Sequence, residues 1–476
     1  MAVAEIDLLG ISQGAVAAPA GCGKTELIAN ALRRYSGPKP VLVLTHTNAG
    51  VAALRGRLER SGVGSSAYRL STIDGWAIRL ISTFPTRSGL DATILKVETP
   101  GNDYPAIRDA ACRLLSGGHI RDVLASSYAR LIVDEYQDCS VPQHTLVCRA
   151  ADTLPTVILG DPLQAIFGWR GNEVADWNKE VCVRFPIVGQ LGTPWRWKNA
   201  DTETFGRWLL EVRRRLQTGQ IVNLREAPPE VQWIRLDGTD DHGKQREAAR
   251  TPAPDANAKV IILGDSRPAS HRLIASQTPG AITVENVDLR DLVDFAQGLD
   301  FPAPDALKHV VQFAGSVMTN VGGADLLQRV AVLLRGGGRK QPSETEQAAL
   351  DFVTRPCPEL AAALLSAINQ SPGVRAYRLG VLRSALRALN QCDGNVGNSF
   401  AETAVRVREQ NRIVGRPLAK RSVGSTLLLK GLEAEVAVIL NAGDMDARNL
   451  YVAMTRGSKK LVICSKSPVL NPAKPA

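Results

Sequence analysis

Ala18-Pro19-Ala20-Gly21-Cys22-Gly23-Lys24-Thr25 places paired glycines, a lysine and a hydroxyl within one short stretch, after the apolar run Ala15 to Ala18. Glycines at 21 and 23 let backbone N–H groups turn inward on phosphate oxygens. Lys24 would neutralise β and γ oxygens, and the Thr25 hydroxyl would hold Mg²⁺. The usual pattern starts with glycine where this chain has Ala18. The matching half is Leu131-Ile132-Val133-Asp134-Glu135-Tyr136-Gln137-Asp138, an apolar strand that delivers carboxylates at its C-terminal end, where open parallel sheets bind ligands. Asp134 suits a metal shell, and Glu135 suits the orientation or deprotonation of an attacking water. Alone, that segment is equally a charged turn after a core strand; paired with a phosphate loop, it points to hydrolysis.

Such residues need a sheet to position them. The runs Ala15 to Ala18, Val41 to Leu44, Leu131 to Val133 and Val157 to Leu159 read as strands buried on both faces. Helix-like Thr25 to Tyr35 and Ala49 to Arg60 lie between them, so the sheet should be parallel. A second set follows at Val231 to Leu236, Val260 to Leu263, Ile282 to Val284, Val436 to Leu440 and Leu461 to Cys464. It is interrupted by helical periodicity over Ala306 to Leu389, and the polar stretches Asp237 to Lys259 and Asp393 to Ser399 read as exposed loops.

The chain has 476 residues, enough for two to four domains at roughly 100 to 200 residues each. Lys and Arg number 57 against 47 Asp and Glu, a modest basic excess that favours a polyanionic partner. With 44% hydrophobic and 22% charged residues, disordered and fibrous classes are excluded. No long apolar span and no basic-then-apolar N-terminus are present, so no membrane association is expected and the cytoplasm is the expected location. Eight scattered cysteines without a C-x-x-C pair suit reduced thiols rather than a zinc site.

Taken in order, these segments resemble the superfamily 1 helicases of the UvrD/Rep type. Asp134-Glu135-Tyr136-Gln137-Asp138 is similar to motif II of that family. Thr45-His46-Thr47-Asn48-Ala49 looks like motif Ia, Thr72-Ile73-Asp74-Gly75-Trp76 like motif Ib, and Gly160 to Gly171 like motif III. Leu191 to Arg196 looks like motif IV, Lys430-Gly431-Leu432-Glu433 like motif V, and Leu450 to Arg456 like motif VI. The resemblance implies an α/β fold of two RecA-like parallel-sheet P-loop domains with small helical insertions. It implies ATP and Mg²⁺ as cofactors, single-stranded DNA as partner, and 3′ to 5′ movement. The expected division is 1–195 for the first domain with a short insertion at about 80–125, 196–300 with 421–476 for the second, and 301–420 for a helical insertion.

Roles follow from the resemblance. Catalysis falls to Glu135, Gln164 as γ-phosphate sensor, and Arg196 and Arg456 as charge-stabilising guanidiniums. Gly21, Cys22, Gly23, Lys24, Thr25, Asp134, Trp195 and Glu433 would hold the nucleotide, with Thr25 and Asp134 at the metal. Trp195 either stacks on adenine or fills core, and Glu433 contacts ribose or nucleic acid. Thr45, Thr47, Asn48, Thr72, Phe167 and Trp169 would meet nucleic acid, Trp169 by stacking on an unpaired base. Thr45, Thr47 and Asn48 could instead cap the next helix. Arg213-Arg214-Arg215 and Arg412 to Arg421 are either phosphate-tracking clusters or solvated faces.

The chain also departs from the pattern. Gln13 lies too close to the phosphate loop for the adenine-reading glutamine, and Leu427 replaces a histidine before Lys430. Both insertions are short. In layout, compact chains of this type resemble the helicase-like component of the Gabija antiphage system, which works beside a nuclease. That makes a nuclease a candidate partner and antiviral defence a candidate role. The alternative to a motor is then a nucleic-acid-stimulated regulatory ATPase that controls such a nuclease without unwinding.

Overall fold

The computed structural model describes residues 6–97, 99–168, 172–286, 288–393, 398–414 and 419–473. The first sheet has six strands: β1 (Gln13–Ala17), β2 (Val41–Thr45), β3 (Tyr68–Thr72), β4 (Leu131–Val133), β5 (Thr156–Gly160) and β6 (Ile187–Gln190), in the order β3-β2-β4-β5-β1-β6. All neighbours are parallel. The interior strands β2, β4 and β5 are buried along their whole length and β1 from Gly14 onward. Parallel strands covered on both faces read as unbroken apolar runs, so the sequence announces them. The edge strands β3 and β6 are half-exposed and carry no such run, and the apolar-run reading passes over them.

One face of this sheet is closed by α1 (Lys24–Arg34) and α2 (Asn48–Arg60), which bury Ile28, Leu32, Leu54 and Leu58 against Val16, Val43 and Leu159. The other is closed by α3 (Ile73–Thr83) and the helices Pro100–Ser116 and Val141–Ala151. Ile107, Ala110, Ala111 and Leu114 of the helix Pro100–Ser116 belong to that core. Arg108 clasps Asp74 at 2.6 and 2.7 Å, so this inserted helix is tied to the start of α3.

The second sheet also has six strands, ordered Ala281–Thr283, Arg421–Gly424, Val260–Leu263, Ala434–Ile439, Gly457–Ser465 and Val231–Arg235. The first four run parallel, with Ala281 opposite Arg421, Arg421 opposite Val260, and Val436 opposite Val260. The fold is therefore α/β with two six-stranded sheets, as expected. The strand Arg421–Gly424 is the one the apolar-run reading misses. Beside this sheet's core lies a second, mainly helical core running from Leu289 to Val407. It contains the expected helical segment, which is broken by a short antiparallel pairing of Met318–Thr319 with Arg375–Ala376.

One of the two loop expectations changes. Asp237 to Lys259 is not all loop: Asp241–Ala249 is a helix, started by the Asp240 carboxylate accepting from Gly243 N–H and anchored by buried Ala248 and Ala249. The capping residue and two buried methyl groups outweigh the polar composition. Of the loop Asp393 to Ser399, residues 394–397 lie outside the described residues.

By packing, the chain forms two compact units, one of residues 1–233, 442–461 and 467–476, the other of 234–441 and 462–466. Among the described residues no helix is long and apolar enough to cross a membrane. All eight cysteines are free.

Candidate active site

The phosphate loop joins β1 to α1. Gly21 and Gly23 take positive φ angles of 69° and 86°, a backbone that only glycine adopts without strain. A Cβ at Gly21 would collide with the Trp197 ring, and one at Gly23 would sit 3.0 Å from Trp195. The glycines are thus required twice over, by conformation and by the turn packed on them. Ala18, standing where glycine is usual, is buried and continues the strand pairing through its N–H to Gly160 O at 2.9 Å. Cys22 is buried behind the loop, and burial, with Asp161 nearby, pushes its thiol up to about 12, so it stays neutral.

Lys24 meets the carboxylates at the end of β4. Its Nζ lies 3.3 Å from Asp134 Oδ1 and 2.5 Å from Glu135 Oε1. Burial alone would favour the neutral amine, but Asp134 and Glu135 hold the Lys24 pKa above the ordinary lysine value. Burial raises the Asp134 pKa, Lys24 opposes this, and the adjoining Glu135 adds to it. Glu135 itself sits in the left-handed region, φ 55° and ψ 39°, which costs a non-glycine residue on the order of 1 kcal/mol. Thr25 and Asp134 provide a hydroxyl and a carboxylate, hard oxygen donors that fit Mg²⁺ when phosphate and water complete the shell. Among the described residues no group of three or more His, Cys, Asp or Glu could hold a metal by itself.

A buried polar chain runs from these carboxylates to the end of β5. Gln137 Nε2 donates to Glu135 Oε2 at 2.6 Å, and Gln137 Oε1 accepts from Asp161 N at 3.1 Å. Asp161 has no exposed surface and accepts on Oδ1 from Arg213 Nε and Nη2 at 3.1 and 2.9 Å. Gln164, the expected phosphate sensor, donates to Asp161 Oδ2 at 3.2 Å. Arg213 belongs to the helix Glu203–Thr218, and Asp161 holds its pKa up against the opposing effect of burial. Of the two readings of Arg213-Arg214-Arg215, a phosphate-tracking cluster or a solvated face, neither describes Arg213. Arg213 is buried on Asp161, and Arg214 and Arg215 pair with Glu211, Arg215 also with Glu226. Arg421 likewise turns inward, donating to the carbonyls of Ala249 and Thr251.

Arg196 and Arg456, distant in sequence, are neighbours in the first unit. Arg196 Nη1 donates to Thr455 O at 2.5 Å; Arg456, buried, donates from Nε to Val452 O at 2.8 Å and from Nη2 to Thr455 Oγ1 at 3.1 Å. The turn of Arg196 is pinned to the phosphate loop, since Arg196 N donates to Gly21 O at 3.0 Å, and to the residue after Arg456, since Trp197 Nε1 donates to Gly457 O at 3.0 Å. Tyr451 Oη accepts from Ala20 N at 3.2 Å. Trp195 is 46% exposed beside Gly23, with Lys198 Nζ 5.0 Å from its ring centre, so it is a surface ring rather than core. Sequence reading missed Gln137, Arg213, Tyr451 and Trp197. For Arg213 a signal existed: it lies four residues after Leu209 and three before Leu216, on the buried stripe of its helix.

At the ends of β2 and β5, His46 and Phe167 bring their rings to 5.4 Å. Thr47 caps α2 through Gly50 N and Thr72 caps α3 through Gly75 N, at 3.0 and 2.9 Å. Thr45 is buried, and Asn48 is exposed on the first turn of α2. Trp169 lies outside the described residues. Glu433, in the second unit, is exposed one residue before the strand Ala434–Ile439. Gln13, at the start of β1, is occupied by donating from Nε2 to Arg184 O at 2.6 Å.

Residues 102–180 match the UvrD/REP helicase N-terminal domain. Over 207 residues, 34% of this chain, the sequence is 26% identical to the Gabija protein GajB of Bacillus cereus (strain VD045), and 39% of that protein is spanned. Over 71 residues, 14% of this chain and 13% of the relative, it is 37% identical to a probable DNA helicase of Mycoplasma pneumoniae. The chain thus spans well under half the length of either curated relative. A solved complex of Arterivirus nonstructural protein 10 (helicase) with DNA aligns at a TM-score of 0.36 and 10% identity, over 95% of this chain and 61% of that one. Residues 102–180 thus carry the likeness to the UvrD/REP helicase N-terminal domain, and parts of the chain are similar to the Gabija protein GajB and to a probable DNA helicase.

Proposed function

We propose that the chain is an ATP-dependent DNA helicase or single-stranded DNA translocase of the UvrD type, moving 3′ to 5′. The observation that carries this reading is the meeting of Lys24 with Asp134 and Glu135. It brings a phosphate-binding lysine, a buried metal-type carboxylate and a half-exposed water-activating carboxylate into one cluster. In the proposed cycle Lys24 exchanges its carboxylate partners for phosphate oxygens, while Glu135 takes the proton of the attacking water. Mg²⁺, held by Thr25 and Asp134, would supply charge neutralisation between the phosphates. Arg196 and Arg456, already adjacent, would stabilise charge on the transferring group; Trp195, exposed beside the loop, would stack on the base. Gln164 would report the γ-phosphate, and Glu433 would contact ribose or nucleic acid. Single-stranded DNA would meet Thr45, Thr47, Asn48, Thr72, Phe167 and Trp169. The sheet-based division, residues 1–195 and then 196–300 with 421–476, would form the two motor domains, with 301–420 as the helical insertion.

The test is an ATPase assay with and without single-stranded DNA, alongside strand displacement on a duplex with a 3′ tail. DNA-stimulated hydrolysis with displacement supports the motor; absence of hydrolysis under both conditions overturns it. The likeness to the Gabija protein GajB favours a second reading, a nucleic-acid-stimulated ATPase that regulates a nuclease. Stimulated hydrolysis without displacement selects that reading.

A further inference from the structure

We propose that Gln137 is a positioning residue that holds the Glu135 carboxylate for water activation, its amide oriented by Asp161, which Arg213 locks in place. This rests on the hydrolytic reading of Glu135 given above.

Glu135 is held on both oxygens, Oε1 by Lys24 at 2.5 Å and Oε2 by Gln137 Nε2 at 2.6 Å. These two contacts have different fates. Phosphate binding draws Lys24 away, whereas the Gln137 contact lies inside the protein, with Gln137 only 3% exposed, and stays. The residue it steadies stands in a left-handed backbone, which a mobile side chain would let relax. Gln137 can hold a carboxylate only if its NH₂ group faces that way, and an amide can flip. Here the flip is prevented, because Oε1 accepts the Asp161 N–H, and that donor would have no acceptor if the NH₂ replaced Oε1. The second hydrogen of the amide points to Asp138 Oδ2 at 3.3 Å, so both ends of the group are specified. The approach is made possible by Gly160 at the end of β5: a Cβ there would fall 2.8 Å from Gln137 Oε1.

Asp161 is in turn immobile. Its Oδ1 receives both Nε and Nη2 of Arg213, and its Oδ2 receives Gln164 Nε2. Arg213 comes from 52 residues further along the chain. Its function is to fix the strand-end backbone that orients the amide.

The experiment uses the full chain and measures nucleotide affinity, kcat and the pH dependence of kcat for parent, Glu135→Gln, Gln137→Ala, Gln137→Glu, Arg213→Met and Arg213→Lys. Gln137→Ala is expected to keep nucleotide affinity within about twofold while kcat falls on the order of 10²-fold, the scale of a misplaced catalytic group. Gln137→Glu sets a second carboxylate against Glu135, so the acid limb of the kcat profile moves to higher pH. Arg213→Met lowers kcat in the same sense and Arg213→Lys restores part of it. A role confined to stability would lower the unfolding midpoint and leave the pH profile in place, which overturns the proposal. So does parental kcat in Gln137→Ala. If Gln137→Ala does not fold, the fall of kcat at parental nucleotide affinity in Arg213→Met, with partial recovery in Arg213→Lys, decides. A parent chain without hydrolysis, or a Glu135→Gln variant at parental rate, defeats the hydrolytic reading and the inference with it. An active parent with a slow Glu135→Gln and a normal Gln137→Ala defeats the inference alone.

Discussion

Each unit of the chain buries a cluster of charged side chains near the ends of parallel strands, yet the two clusters are built differently. In the first unit Lys24, Asp134, Glu135, Asp161 and Arg213 gather behind a loop of positive-φ glycines, and Glu135 is strained. In the second, Arg378 is wholly buried and donates to Glu285 at 2.7 and 3.0 Å and to Asp291 at 2.8 Å, while Arg272 takes the same Asp291 at 2.7 Å. That set ties the residues after the strand Ala281–Thr283 to the helices Arg290–Gly298 and Leu379–Gln391. Its partners are all side chains of fixed protein geometry. Buried charge alone therefore does not mark chemistry. Strained backbone does not mark it either, since Leu289, two residues before Asp291, is also left-handed; what distinguishes the first cluster is a lysine that meets two carboxylates beside a loop of positive-φ glycines.

The largest contrast should appear with Lys24→Ala, which removes the exchangeable cation. Nucleotide affinity should fall on the order of 10²-fold or more, whereas Glu135→Gln should keep binding and lose turnover, since the two residues serve different steps. Titration with nucleotide and a turnover assay measure both. Parental hydrolysis in Glu135→Gln would erase the distinction between the clusters. Next is Arg378→Ala, which strands two carboxylates in the second unit and should cost about 3–5 kcal/mol in denaturant unfolding, with nucleotide affinity in the folded protein unchanged. Loss of nucleotide binding in a folded Arg378→Ala protein would mean that the second cluster is not merely a brace.

Trp169→Ala should weaken binding of single-stranded DNA by about 1–3 kcal/mol at fixed salt and leave DNA-free hydrolysis intact. Unchanged affinity would remove Trp169 from the nucleic-acid surface. The smallest effect concerns acid. Burial opposes it, but the Arg378 hydrogen bond and charge hold the Asp291 pKa below the ordinary aspartate value. The stability this contributes is present above the unfolded aspartate pKa and is lost as pH falls through the lower folded value. Unfolding curves of parent and Asp291→Asn should converge in that acid range, and curves that stay parallel would show that Asp291 contributes nothing through its charge.

The contrast also explains what could be read without a structure. The phosphate loop and the Asp134-Glu135 pair were legible because their chemistry depends on residue type at fixed spacing, next to apolar runs that only buried parallel strands produce. Arg213 was not, because a row of arginines looks alike until one guanidinium turns inward. Nor was Gln137, whose meaning depends on Asp161 across the strands. The edge strands β3 and β6 escaped because half-exposed residues such as Tyr68 and Ile187 show no continuous burial. The helix Asp241–Ala249 escaped because alanines carry its buried side. His46 and Phe167 meet only through the pairing order of β2, β4 and β5.

The lysine that closes the first cluster has a further consequence for how ligands would cooperate. With Lys24 on them, Asp134 and Glu135 have a cation close by; a nucleotide that captured Lys24 would leave two adjacent like charges, one buried and one half-exposed, behind. A divalent ion arriving with the nucleotide would relieve that repulsion, so each ligand should raise the affinity for the other by the same factor. Free nucleotide would bind poorly, free metal would find its carboxylate already occupied, and the complex of the two would be the species the site selects. Under the proposed function, this linkage would make the resting ion pair a gate on composition, favouring the neutralised nucleotide over either half.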